Sequence, residues 1–271
     1  MKIYVLVMTI LWLIPVSAQG TSQQIAALHA RAQSGDSKAE VQLGMAYASG
    51  DGVAADEKEA VKWFRRAAEK GNAAGEYSLA EMYLTGRGVE PDISQAVKWL
   101  SRAAESGDAR AQFNLAALYV EGQGVSKNKN EAVKWMRKAA DQGLAAGQFG
   151  LGSMYEDGRG VAQNEIEAAN WYRKAGAQGD FKALNNLALM LATSQDAAFR
   201  NPKEAITVAQ KAVDASGENP ACLDTLATAY YEVGQSDKAA ETERRALALK
   251  PDNPSYKKAL EKYEAATRPK Q

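Results

Sequence analysis

The feature that most constrains this chain is a short phrase written four times. "AVKWFRRAA" begins at Ala60, "AVKWLSRAA" at Ala96, "AVKWMRKAA" at Ala132 and, more loosely, "AANWYRKAG" at Ala168, each 36 residues after the last. At this offset whole columns coincide: Leu43, Leu79, Leu115, Leu151 and Leu187; Tyr47, Tyr83, Tyr119 and Tyr155; Trp63, Trp99, Trp135 and Trp171. Glycine makes two more, at Gly52, Gly88, Gly124 and Gly160 and at Gly35, Gly71, Gly107, Gly143 and Gly179. A fixed period of this length marks stacked supersecondary units, none of which can bury its apolar face alone.

Each unit reads as two helices. The first, such as "AGEYSLAEMYL" from Ala74, stops at a Gly-x-Gly, where glycine takes the left-handed conformation that ends a helix. The second has a repeated start signal. Asp56, Asp92, Asn128 and Asn164 can cap orphan N–H groups, and Glu59, Gln95, Glu131 and Glu167 follow at the spacing of a capping box. Asn201, Pro202 and Glu204 repeat the signal. Within "AVKWMRKAA", Ala132, Trp135, Met136 and Ala139 share one helical face, and Lys134, Arg137 and Lys138 point to water. At this phase the tryptophan column is core packing rather than a ligand-stacking ladder.

The pattern changes after Ala183: Leu191 stands where tyrosine is expected, and the following loop is longer and lacks glycine. In "NPACLDTLATAYYEVGQSDKAAETERRALALKPDNP" (219–254), Leu223, Leu226, Ala227 and Tyr230 begin a helix that Gly234 ends. Ser236 can cap the next helix, and Pro251 ends it. "PSYKKALEKYEAATR" (254–268) is a charged closing helix, and residues 21–36 read as an N-terminal cap in which His29 takes the exposed column of Arg65.

The start of the chain predicts export. Lys2, an apolar run from Ile3 to Ile14, Pro15 and the small-residue site Val16-Ser17-Ala18 form the pattern of a secretory signal peptide. The run falls short of the roughly 20 residues that span a bilayer. The expected mature chain begins at Gln19, with no stable membrane insertion after cleavage. With 33 basic and 33 acidic residues there is no basic excess to serve a nucleic acid. Cys222 is the single cysteine, so no disulfide forms within the chain, and its apolar setting reads as an inert core thiol.

The four central units, typified by "AGEYSLAEMYLTGRGVEPDISQAVKWLSRAAESGDA", resemble the Sel1-like repeat family. The last two helical pairs resemble tetratricopeptide repeats, most clearly at Leu223, Leu226, Ala227, Tyr230, Ala239, Ala246 and Pro251. The resemblance covers about residues 35–267 and implies an all-α fold. The implied architecture is a right-handed α-solenoid of antiparallel helix pairs, with about four 36-residue Sel1-like repeats followed by two tetratricopeptide-like repeats and a capping helix. The expected organisation is a signal peptide at 1–18, a capping helix at 19–34, Sel1-like repeats at 35–182, tetratricopeptide-like repeats with the closing helix at 183–267, and a tail at 268–271.

Both families are implied to act as scaffolds that bind a protein or peptide in a concave groove lined by first helices. By that analogy the groove candidates are Val41, Tyr77, Phe113 and Phe149, one column, joined by Glu81, Arg110, Asn185, Asp224 and Tyr231. The column either faces the groove or packs between helices. No enzyme, cofactor or metal site is expected, since catalysis needs a held nucleophile, base or metal. The alternative is a β-lactamase-like or cell-wall hydrolase activity, as ascribed to cysteine-rich members of the Sel1-like family. Those members carry a cysteine pair in each repeat and this chain carries none. Ser126–Lys129 and Ser255–Lys258 match a Ser-x-x-Lys pattern without its companion motifs. Glu156-Asp157 lacks the oxygen-rich loop that calcium takes. A third reading is an envelope spacer that binds along its outer faces. The expected location is a bacterial periplasm, and the sequence leaves partner and oligomeric state open.

Overall fold

A computed structural model describes residues 22–267, so the predicted leader and the tail lie outside the described residues. Among the described residues all regular structure is helical. The chain divides into two compact units, Met1–Gln142 and Gly143–Gln271. The first holds α1 (Ser22–Gln33), α2 (Ser37–Ser49), α3 (Glu57–Glu69), α4 (Ala73–Thr85), α5 (Ile93–Glu105), α6 (Ala109–Glu121) and α7 (Lys129–Asp141). The second holds α8 (Ala145–Asp157), α9 (Glu165–Ala177), α10 (Phe181–Thr193), α11 (Pro202–Ser216), α12 (Pro220–Glu232), α13 (Ser236–Leu249) and α14 (Pro254–Thr267). Inside each unit successive helices pack on one another, and α2 also touches α4 as α10 touches α12.

The start signals work at every repeat, with one difference. Asp56, Asp92, Asn128, Asn164 and Asn201 each accept the N–H of the residue three further on, at 3.0 to 3.2 Å. The reciprocal half of a capping box does not form, because the cap's own N–H is already engaged. It donates to the carbonyl of Tyr47, Tyr83, Tyr119, Tyr155 or Leu191 in the helix before, at 2.8 to 3.1 Å. One bond thus satisfies an orphan carbonyl of the first helix and an orphan amide of the second. Ser236 is the first residue of α13 rather than its cap; Gln235 holds that position without a side-chain bond.

The Gly-x-Gly loops have two separate needs. Gly86 ends α4 with a φ of 72° and donates to the Met82 carbonyl. At Gly88 a Cβ would come within 2.2 Å of the Glu57 carbonyl oxygen, so the loop lies against α3 with no room for a side chain.

The repeated phrase is core. Trp63, Trp99, Trp135 and Trp171 are all buried, as are Ala132, Met136 and Ala139. Lys138 does not simply point to water: its Nζ lies 4.0 Å from the Trp135 ring centroid, as Arg66, Arg102 and Lys174 lie over the other three rings at 4.5, 4.8 and 3.8 Å. Residue size is matched across helices. Gly44 and Gly152 of one first-helix column pack on Phe64 and Tyr172 of one second-helix column; Ala80 and Ala116, Leu100 and Met136 fill the same columns in the repeats between. Glycine stands opposite the two rings, where a Cβ would sit 2.6 Å from Phe64 or 2.8 Å from Tyr172. His29 is partly buried rather than exposed, because its ring packs edge-on against Tyr47 and Trp63. Cys222 is buried in the cluster of Leu223, Leu226 and Tyr256, and burial pushes its thiol pKa up, as expected of an inert thiol.

Candidate functional site

In the first unit, five predicted groove residues lie on the first helices. Val41 on α2 and Tyr77 on α4 are buried, at 6% and 5% exposure, so packing between helices describes these two. Glu81, Arg110 and Phe113 are partly exposed. A chain of contacts fixes Glu81 and Arg110. The Tyr77 hydroxyl donates to Glu81 Oε1 at 2.7 Å, one turn along α4. The Arg110 guanidinium lies 4.2 Å from the Tyr77 ring centroid and donates through Nη2 to Asp108 Oδ2 at 2.7 Å. Asp108 also caps α6, accepting the N–H groups of Arg110 and Ala111. Burial raises the Glu81 carboxyl pKa, against the opposing pull of the Tyr77 hydroxyl and Arg110. Phe113 follows Arg110 by three residues and therefore shares its helical face. A carboxyl and a guanidinium are thus held on either side of the Tyr77 side chain, with the Phe113 ring on the same face of α6 as Arg110.

In the second unit the candidates separate. Phe149 on α8 is half-buried and leans on Tyr172, ring centroids 5.7 Å apart, at the edge of a cluster with Ala168 and Leu187. Asn185 on α10 is partly exposed, and its Oδ1 is buried without a donor among the described residues. On α12, Asp224 is partly exposed, and burial raises its pKa. Tyr231 stacks on Tyr263 at 4.9 Å, with Lys262 Nζ 4.1 Å from its ring centroid. Ser126 and Ser255 are both exposed, the first between α6 and α7, the second in the first turn of α14 with its N–H on Asn253. Among the described residues no cluster of three His, Cys, Asp or Glu could hold a metal, and no helix is long and apolar enough to cross a membrane.

A further column escaped the sequence reading. Glu40, Glu76, Gln112 and Gln148 recur at 36 residues and are all buried. Arg66 and Lys70 meet Glu40 at 3.0 and 2.8 Å, and Arg102 meets Glu76 at 2.9 Å. In the next two repeats the pair becomes a hydrogen bond between two side-chain amides: Gln142 donates to Gln112 at 2.8 Å, and Gln178 to Gln148 at 2.9 Å. The signal was present as a column of polar residues at an otherwise apolar helical phase.

The sequence model of the tetratricopeptide repeat matches residues 197–263. Among solved structures, a Sel1 repeat protein from Oxalobacter formigenes superposes with a TM-score of 0.69 at 27% identity, over 83% of this chain and 90% of that one. The protein c5321, a protective antigen present in uropathogenic Escherichia coli strains and displaying an SLR fold, gives 0.58 at 28% identity, over 88% of this chain and 59% of that one. This chain thus spans about three fifths of c5321's length. YrrB, a TPR protein with an unusual peptide-binding site, shares the fold at 0.54 and 18% identity, over 73% of this chain and 97% of that one. No curated protein matches the chain. The sequence model of the Sel1 repeat matches residues 37–72, 73–108, 109–144 and 145–180, more than half of the 271 residues, and the chain belongs to the Sel1 repeat family.

Proposed function

We propose that this chain is an exported scaffold of a bacterial periplasm that binds a protein or peptide segment on its first-helix faces. The observation that carries the reading is the Tyr77–Glu81–Arg110 cluster on α4 and α6, with Phe113 partly exposed one turn from Arg110 on α6. A peptide brings backbone donors and acceptors together with side chains. A fixed carboxyl, a fixed guanidinium and an aromatic ring match both, and rings and arginine are the residue types that dominate binding energy at interfaces. The packed, repeated helices behind the cluster keep it in place without a ligand, which lowers the ordering cost of association. Asn185, Asp224 and Tyr231 are candidates for a second contact region in the other unit.

The test is in-cell crosslinking. A photoreactive residue replaces Phe113 or Phe149, with Lys134 as an outer-face control, and adducts are identified by mass spectrometry. A dominant protein adduct from Phe113 that is missing from Lys134 is the expected result. Capture from Lys134 alone would transfer the working surface to the outer face. N-terminal sequencing of the mature protein tests the export half, with Gln19 as the expected first residue.

A further inference from the structure

Among the described residues four large apolar side chains are left exposed: Ile93, Ile166, Leu189 and Leu249. Three stand on second helices, and only Leu189, 41% exposed, stands on a first helix, α10. The same column holds Met45, Glu81, Ala117 and Ser153 in the earlier repeats, so the period does not demand leucine here. One exposed leucine carries no inference by itself. Its surroundings supply one.

Three acceptors on or beside α10 lack a matching donor or cation. One turn before Leu189, Asn185 buries its Oδ1 with no donor among the described residues. Asn186 donates to the Tyr172 hydroxyl at 3.2 Å, and that hydroxyl donates to Glu156 Oε2 of α8 at 2.5 Å. The buried phenol thus sets the α8 carboxyl beside α10. Among the described residues no lysine or arginine lies within ion-pair distance of Glu156. Arg159, three residues on, pairs instead with Asp157 at 2.9 Å and donates to Ser153 at 2.6 Å. On α12, which packs on α10, the partly exposed Asp224 has no cation among the described residues either. Burial raises its pKa, as expected of a carboxyl held without a positive charge.

The imbalance extends over the first helices of this unit. Helices α8, α10 and α12 carry Glu156, Asp157, Asp224 and Glu232 against a single base, Lys182. In α9, α11 and α13 acids and bases are equal in number. Unmet acceptors, negative charge and the exposed leucine therefore share the same helices, and complementary charge selects the partner of such a face. We propose that α8, α10 and α12 hold a basic peptide segment. An apolar side chain of the segment packs on Leu189, lysine or arginine pairs with Glu156 and Asp224, and an N–H meets Asn185. This rests on the scaffold reading above and narrows its partner to a cationic one.

A random peptide library displayed on phage and selected on the full chain tests this. Enrichment of lysine or arginine next to leucine, isoleucine or phenylalanine is the expected result. An enriched peptide, followed by fluorescence anisotropy, should bind about fivefold more weakly to Glu156→Gln and to Asp224→Asn. Its affinity should also fall as salt rises. Glu156→Gln keeps an acceptor for the Tyr172 hydroxyl, so the fold is retained. Leu189→Ser alters a side chain already in solvent and should weaken binding without lowering the melting temperature. Asp214→Asn makes the same charge change on an exposed position of α11 and should have no effect. Selection without basic residues, the same selection on the Glu156→Gln, Asp224→Asn double variant, or an equal loss with Asp214→Asn overturns the proposal. Self-association that Leu189→Ser abolishes, with no peptide enriched, assigns the face to a second copy and overturns it too. A protein captured in the cell from Phe113 or Phe149, with no basic peptide selected, refutes this inference alone and leaves the scaffold reading standing.

Discussion

The Nε2 of His29 lies 3.1 Å from the hydroxyl of Tyr47. One period later, Arg65 donates to the hydroxyl of Tyr83 at 2.8 Å. Two chemically different side chains therefore serve the same column, each tying a second-helix position to the tyrosine of the following first helix. Tyr83→Phe removes only the hydroxyl, leaves the ring packed, and should cost about 1 kcal/mol. Urea unfolding followed by circular dichroism measures it. No loss of stability would mean that water serves Arg65 equally well.

The charged and amide versions of the buried ladder should respond differently to truncation. Arg102→Ala strands Glu76 in the interior and should cost about 3–5 kcal/mol. Glu76→Gln combined with Ser106→Gln rebuilds the amide pair that Gln112 and Gln142 make one repeat later. That double variant should recover most of the stability lost in Glu76→Gln alone. Thermal melts of the four proteins decide it, and an uncoupled double variant would show that the ladder's geometry does not transfer between repeats.

Helix spacing between α2 and α3 is set by Gly44 against Phe64. Gly44→Ala should destabilise by about 1–3 kcal/mol through overpacking. Adding Phe64→Leu reproduces the Ala80 and Leu100 combination of the next repeat and should recover part of that loss. A double-mutant cycle by denaturant titration gives the coupling, which should be favourable in sign.

Binding and folding should separate at Phe113. Its ring is only partly covered, so Phe113→Ala should lower the melting temperature less than Leu115→Ala, whose side chain is fully buried and costs about 2–5 kcal/mol to truncate. Phe113→Ala should nonetheless abolish the crosslinked adduct captured from a neighbouring first-helix position such as Glu81. Retention of that adduct at wild-type yield would remove Phe113 from the binding face. Phe149→Ala should cost more stability than Phe113→Ala, because Phe149 leans on Tyr172.

The helix pairs, their caps and their glycine stops were legible because each repeats at 36 residues, and agreement between copies multiplies a weak local signal. What stayed hidden was the partner of each group. Asp56 reads as a cap from its spacing to Glu59, but the destination of its own N–H, the Tyr47 carbonyl, depends on how the preceding helix folds back. The candidate column was legible as a column and not as a surface. Val41 and Tyr77 are buried while Phe113 is not, and Arg110 closes over Tyr77. Glu243 gave no signal at all, since an isolated glutamate on a charged helix reads as solvated, yet the structure buries it completely.

In the four Sel1 repeats the bond from the second-helix cap to the carbonyl of the tyrosine nine positions earlier joins the two helices of one repeat through their own backbone. A gene segment of 36 codons duplicated in frame would add a module that carries its own stop, its own start and the bond joining them. A deletion of the same size would remove all three at once. Array length can then change in evolution by gain or loss of whole 36-residue copies, while any insertion out of step with the period would separate a cap from its tyrosine.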